Sequence, residues 1–141
     1  MAGRTIQEIE IGDSAHFSKT VTETDVLLYA GISGDFNSAH VNQMAAEHGI
    51  FGKRIAHGML SAGFISAVLG TQLPGEGTIY IGQELKFVKP VFLGDTVTAT
   101  VTVVERNETK NRLKLDTIVT NQMGESVILG SAVVMPPRRA S

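Results

Sequence analysis

The chain of 141 residues contains no cysteine. Disulfides, thiolate metal sites and a cysteine nucleophile are therefore excluded. It has no Lys/Arg-rich stripe, and its formal net charge is −2 at pH 7. A cationic face for phosphate is missing, so no nucleic-acid partner is expected. No stretch approaches ~18 apolar residues, so no membrane-spanning helix is expected. Met1 to Glu10 holds no apolar run of signal-peptide length. Together with the lack of cysteine, these features fit a cytoplasmic location. The four histidines show no His-Glu-x-x-His spacing. No metal is assigned on that basis, and no cofactor is expected. No repeat, low-complexity tract or linker interrupts the chain, and its length suits one domain over residues 1–141.

What is present is an ordinary globular balance of 43% hydrophobic and 18% charged residues. Residues 14–21 read as a short strand. Thr22 to Asp25 resembles a capping box, which starts a helix expected to end near Gly31. Residues 33–40 hold turn formers without a clear period and read as a loop. Asn42 can cap a short helix over 43–48, stopped by Gly49. The longest helix is expected from Gly58 to about Leu69. Apolar residues occupy most of its circumference, which predicts burial on all sides.

The period then changes to two. Thr78–Val88 is a strand candidate. Val97, Ala99, Val101 and Val103 share one face of the next strand. Leu113, Leu115, Thr117 and Val119 repeat the pattern, as do Val127, Leu129, Ser131, Val133 and Met135. Pro90 and Gly94 separate the first two of these strands, and Gly124 turns between the last two. One buried helix and about five strands joined by short hairpins predict an α+β fold. Its antiparallel sheet wraps around the helix. Open sheet edges invite a second copy, so a homodimer or higher homo-oligomer is expected. Arg138 and Arg139 are expected to form a solvated, frayed end.

Chemistry concentrates in two short segments. Asp35 and His40 lie five residues apart on a glycine-containing loop. A carboxylate and an imidazole that close can both hydrogen-bond one water, take a proton from it and return one. Asn37 lies between them, with an amide suited to orienting either partner or a substrate. His57 and Gly58 open the long helix. The first N–H groups of a helix lack partners and sit at its positive end. Gly58 would let a substrate carbonyl approach its N–H, an oxyanion hole in outline. His57 reads as a packing residue at the helix start. Lys53, Arg54, Lys86 and Lys89 are candidate phosphate contacts, although solvated surface cations are the simpler reading of each.

The chain resembles the MaoC-like (R)-specific enoyl-CoA hydratases along nearly its whole length. The resemblance rests on residues 33–37 with His40, and on the helix start at Ala56-His57-Gly58-Met59-Leu60. It also rests on Leu69 to Gly75, Ile79 to Phe87 and Pro90 to Asp95. It implies a hot-dog fold, with an overhanging helical and loop segment. It implies Asp35 and His40 as the catalytic pair, Gly58 as the oxyanion-hole glycine and Asn37 as the motif asparagine. Ser38 stands where the family usually has proline. The implied reaction adds water to a trans-2-enoyl-CoA to give an (R)-3-hydroxyacyl-CoA. The acyl-CoA is the expected partner, and CoA is part of the substrate rather than a cofactor. The alternatives are a dehydratase acting on carrier-protein-linked 3-hydroxyacyl chains and a non-catalytic acyl-binding subunit.

Overall fold

The computed structural model describes residues 2–139. After a 3₁₀ turn at Ile6–Glu8 come strand β1 (Ser14–Thr20) and helix α1 (Glu23–Ser33). Two short helices follow, α2 (Ser38–Val41) and α3 (Gln43–Glu47), and then the long helix α4 (Gly58–Thr71). The remaining strands are β2 (Ile79–Phe87), β3 (Thr96–Asn107), β4 (Arg112–Thr120) and β5 (Ser126–Met135). They form one five-stranded antiparallel sheet in the order β1-β3-β4-β5-β2. This is the expected α+β architecture, with α4 packed on the inner sheet face.

The inner face follows from strand alternation and register. Val97, Ala99, Val101 and Val103 of β3 are buried, as are Leu113, Leu115, Thr117 and Val119 of β4. Leu60, Ile65, Val68 and Leu69 of α4 share this core. On β5 the expected face is wrong beyond Val127. Leu113, Leu115 and Val119 pair with Val134, Ala132 and Ile128. Those three β5 residues are buried, and Leu129 faces outward. Both faces of β5 are apolar, so alternation alone could not choose between them. Gly130 allows β2 to approach, because a Cβ there would lie 2.1 Å from the Glu84 carbonyl oxygen.

Five further expectations need correction. Helix α1 runs past Gly31 to Ser33, and Gly34 ends it at φ 81°. A glycine inside a helix is tolerated, whereas the left-handed position after it favours one. The stretch 33–40 is not all loop, because His40 lies within α2. β2 and β3 do not form a hairpin, since β2 pairs with β5 at the sheet edge. Helix α4 is not buried all round: Gly58, Met59, Gly63, Ser66, Ala67 and Gly70 are exposed. At the tail, Arg139 is ion-paired with Glu8 at 2.8 Å rather than frayed.

The start of α1 shows the capping box in full. Thr22 Oγ1 accepts from Asp25 N–H at 3.1 Å, and Asp25 Oδ2 accepts from Thr22 N–H at 2.9 Å. The Lys19 ammonium, 2.6 Å away, is the main reason that the Asp25 carboxyl titrates below its usual range, with Thr22 adding to it. The cap is therefore fully formed at neutral pH and weakens as acid protonates Asp25. No described helix is long and apolar enough to cross a membrane.

Candidate active site

Two adjacent segments build the site, residues 33–40 and residues 54–58. In the first, local hydrogen bonds set the turn. Asp35 N–H donates to Ser33 Oγ at 3.1 Å. Asp35 Oδ1 accepts from Asn37 N–H at 3.1 Å, an Asx turn. Asn37 Oδ1 then caps α2 by accepting from Ala39 N–H at 3.0 Å. Asn37 thus orients both expected catalytic residues, through its own N–H and through the cap, and its carbonyl oxygen faces the helix rather than a substrate. Ser38 takes the first position of α2. Proline suits that position because its φ is preset and no N–H is needed there. Here the Asn37 cap starts the helix without proline.

The second segment grips the first. Ile55 N–H donates to the Ala39 carbonyl at 3.2 Å. His40 Nδ1 lies 2.7 Å from the Ile55 carbonyl. A carbonyl only accepts, so Nδ1 carries the proton. In the neutral ring Nε2 then holds the lone pair. Arg54 Nε–H donates to the His40 carbonyl at 2.7 Å, and its Nη1 pairs with Glu23 at 2.6 Å. His57 Nε2 lies 2.9 Å from the Asp35 backbone carbonyl. Its ring stacks on His40 with centroids 3.9 Å apart and an interplanar angle of 29°.

The result joins the two expected catalytic residues with His57, which the sequence had marked only for packing. Asp35, His40 and His57 each offer a polar side-chain atom within 4.8 Å of the others. Asp35 is exposed, whereas His40 and His57 are 9% and 2% exposed. One water can accept this geometry by donating a hydrogen bond to Asp35 and another to His40. The same three atoms could surround a cation, an option that residue spacing had not raised.

Gly58 is the first residue of α4, so its N–H has no partner within the helix. It lines a largely apolar cavity of about 420 Å³, together with Ile55, Ser61, Phe87 and Lys89. That volume suits a small-molecule ligand. Asp35 and His40 do not line it; His40 is bonded to the lining residue Ile55, and Asp35 to His57, which precedes the lining residue Gly58. The Phe87 ring lies over Gly58, where a Cβ would come within 2.6 Å of it. A side chain at this position would have to push the half-exposed Phe87 ring aside.

Of the four candidate cations, the three lysines are exposed as the simpler reading had it, and only Arg54 departs from it. Arg54 is turned inward as a brace, with its side chain 11% exposed. Lys53 Nζ lies 4.1 Å from the Phe92 ring centroid, and Lys89 pairs with Glu125. The Arg54 brace and the Ile55 carbonyl carried no sequence signal, because neither a backbone acceptor nor a turned-in guanidinium forms a pattern.

Comparison with known proteins places this geometry in context. The family model described as MaoC like domain matches residues 7–124. An (R)-specific enoyl-CoA hydratase of Rhodospirillum rubrum is 54% identical over 133 residues, covering 94% of this chain and 92% of that protein. The unliganded R-hydratase PhaJ1 of Pseudomonas aeruginosa superposes with a TM-score of 0.93 at 42% identity, covering 97% of this chain and 88% of that one. The (R)-hydratase of Aeromonas caviae involved in PHA biosynthesis gives 0.91 at 43% identity, with 93% and 99% covered.

The cap generates a test. Asn37→Ala removes the acceptor that starts α2, at a cost of about 1 kcal/mol. Amide exchange of Ala39 should then speed by about five-fold, the factor equal to that energy. Unchanged exchange would show that the cap does not hold His40's turn.

Proposed function

This chain belongs to the MaoC-like domain family, and from that premise we propose that it hydrates trans-2-enoyl-CoA to (R)-3-hydroxyacyl-CoA and runs the reverse dehydration. The observation that carries the reading is the meeting of Asp35 and His40 within 4.8 Å, beside the free N–H end of α4. The R configuration and the CoA thioester are supported by the 54% identical relative named for both. An (R)-3-hydroxyacyl-CoA suits fatty acid metabolism or polyhydroxyalkanoate precursor supply, and the PHA role of the Aeromonas caviae relative supports the second.

The steps follow from the geometry. The thioester carbonyl accepts a hydrogen bond from Gly58 N–H at the positive end of α4. Electron density leaves the β-carbon, which becomes open to attack. A water held by Asp35 and by His40 Nε2 adds its oxygen there. Its proton passes to the pair and is returned to the α-carbon, so one water is consumed and the pair ends as it began. Asn37 acts through the turn that orients both members. No metal or other cofactor takes part in this scheme, since the helix N–H does the polarising. A cytoplasmic location belongs to the same proposal and fits a chain without cysteine.

We also assign the active form as a homodimer. β2 is an edge strand whose Ile79, Ile81 and Phe87 are all about half exposed, and Met59 of α4 is exposed as well. An open apolar edge of this kind is a template for pairing. A second copy along β2 would cover it, and with it the open face of α4.

Three measurements test the proposal. Asp35→Asn and His40→Gln should each lower hydration of crotonyl-CoA by about 10²–10⁴-fold while the fold is retained. Activity near that of the parent in either variant refutes the assignment. Dialysis against EDTA should leave the rate unchanged, and a loss restored by zinc would make the three-residue cluster a metal centre. In sedimentation, the parent should run as a dimer, and Ile81→Glu should run near the 15.0 kDa of one chain. A monomeric parent would remove the dimer from the proposal.

A further inference from the structure

We infer that His57 is a positioning residue, and that it sets the acid/base pair in register with the carbonyl-polarising N–H. The inference rests on the hydratase reading above. It replaces the packing role that sequence alone supports.

The first argument is what His57 does not do. It is the N-cap of α4, yet its side chain makes no cap hydrogen bond. Thr22, Asn37 and Asn42 each cap their own helices with their side chains. His57 instead sends Nε2 across to the Asp35 carbonyl, 22 residues away in sequence. That carbonyl can only accept, so Nε2 bears the proton. In the neutral ring Nδ1 then holds the lone pair, buried and without a hydrogen-bond partner among the described residues.

The second argument is what this bond fixes. Asp35 follows Gly34 on an exposed turn whose other ties are all local. The 2.9 Å bond from His57 holds the peptide plane between Asp35 and Phe36 from outside the turn. The same ring lies against His40, limiting its rotation. Tyr29 packs against His57 with centroids 4.8 Å apart, so the imidazole itself has little freedom. Both members of the pair are thus located by one rigid ring. The next residue is Gly58, which lines the cavity and begins α4. A single peptide bond therefore sets the spacing between the proton-transfer groups and the carbonyl site.

Two substitutions separate donor from ring. His57→Phe keeps an aromatic ring on His40 and deletes Nε2–H, while replacing an Nδ1 that has no partner. His57→Gln deletes the ring and keeps a side-chain N–H able to reach the Asp35 carbonyl. With crotonyl-CoA, His57→Phe should lower kcat by about 100-fold, the loss expected for a misplaced group, with KM little changed. His57→Gln should restore most of that kcat. Amide exchange over residues 35–37 should quicken in His57→Phe and stay near that of the parent in His57→Gln. A purely structural role predicts instead that both variants lose thermal stability with kcat intact in the folded fraction, and that result overturns the inference. An inactive parent would refute the hydratase reading alone, because the exchange comparison still decides whether His57 holds the turn.

Discussion

The site depends on a clamp between two irregular segments, 54–57 and 35–40. Four hydrogen bonds make it: Ile55 N–H to Ala39, His40 Nδ1–H to Ile55, Arg54 to His40, and His57 to Asp35. Neither segment lies in the sheet or in a long helix. Segment 35–40 is anchored by α1 and its Gly34 stop, and segment 54–57 by α4 and by Ala56 N–H on the Val91 carbonyl at 2.7 Å. Without the clamp, the pair would ride on an exposed turn whose carboxylate has only local bonds. With it, the core around α4 passes its rigidity to a surface loop.

The clamp also decides protonation. Backbone carbonyls are pure acceptors, so each one that meets an imidazole fixes which nitrogen holds the proton. Ile55 does this for His40, and the Asp35 carbonyl does it for His57. In its neutral form His40 is left with a lone pair at Nε2, able to accept a hydrogen bond. His57 is left with a lone pair that nothing uses. A buried polar atom without a partner costs about 1–3 kcal/mol. Ser61 Oγ, on the first turns of the same helix, is buried and unpartnered too.

Much of the fold was legible in the sequence because it rests on period. The capping box at Thr22, the Asn42 cap and the alternation of β3 and β4 each carry a local pattern that matches a local structure. β5 failed where both of its faces were apolar, since only pairing with β4 selects the inner one. The pair Asp35 and His40 was legible from its motif with Gly58. The bonds that orient it were not: all four in the clamp end on backbone carbonyls, which leave no mark in the sequence. Arg54 read as a phosphate candidate because its charge is visible in sequence and its direction is not.

The exposed side of α4 follows from the same limit. Helical periodicity counts apolar residues around a helix and assigns burial to all of them, whichever chain provides the cover. In one chain, the sheet covers Leu60, Ile65, Val68 and Leu69, and the other side, with Met59, Gly63 and Ser66, stays open. That open side adjoins β2, and Met59, Gly63 and Ser66 share a cavity with Tyr80, Ile81 and Leu85. Apolar surface left in water disfavours the isolated chain by roughly 25 cal/mol per Å². The composition of α4 is therefore suited to a helix covered on two sides, one of them by its own sheet. Gly58 lies at the start of that helix, so cover laid along β2 would also exclude water from the Gly58 N–H. A drier site strengthens the hydrogen bond that Gly58 N–H can give, because the field of the helix end is less screened there.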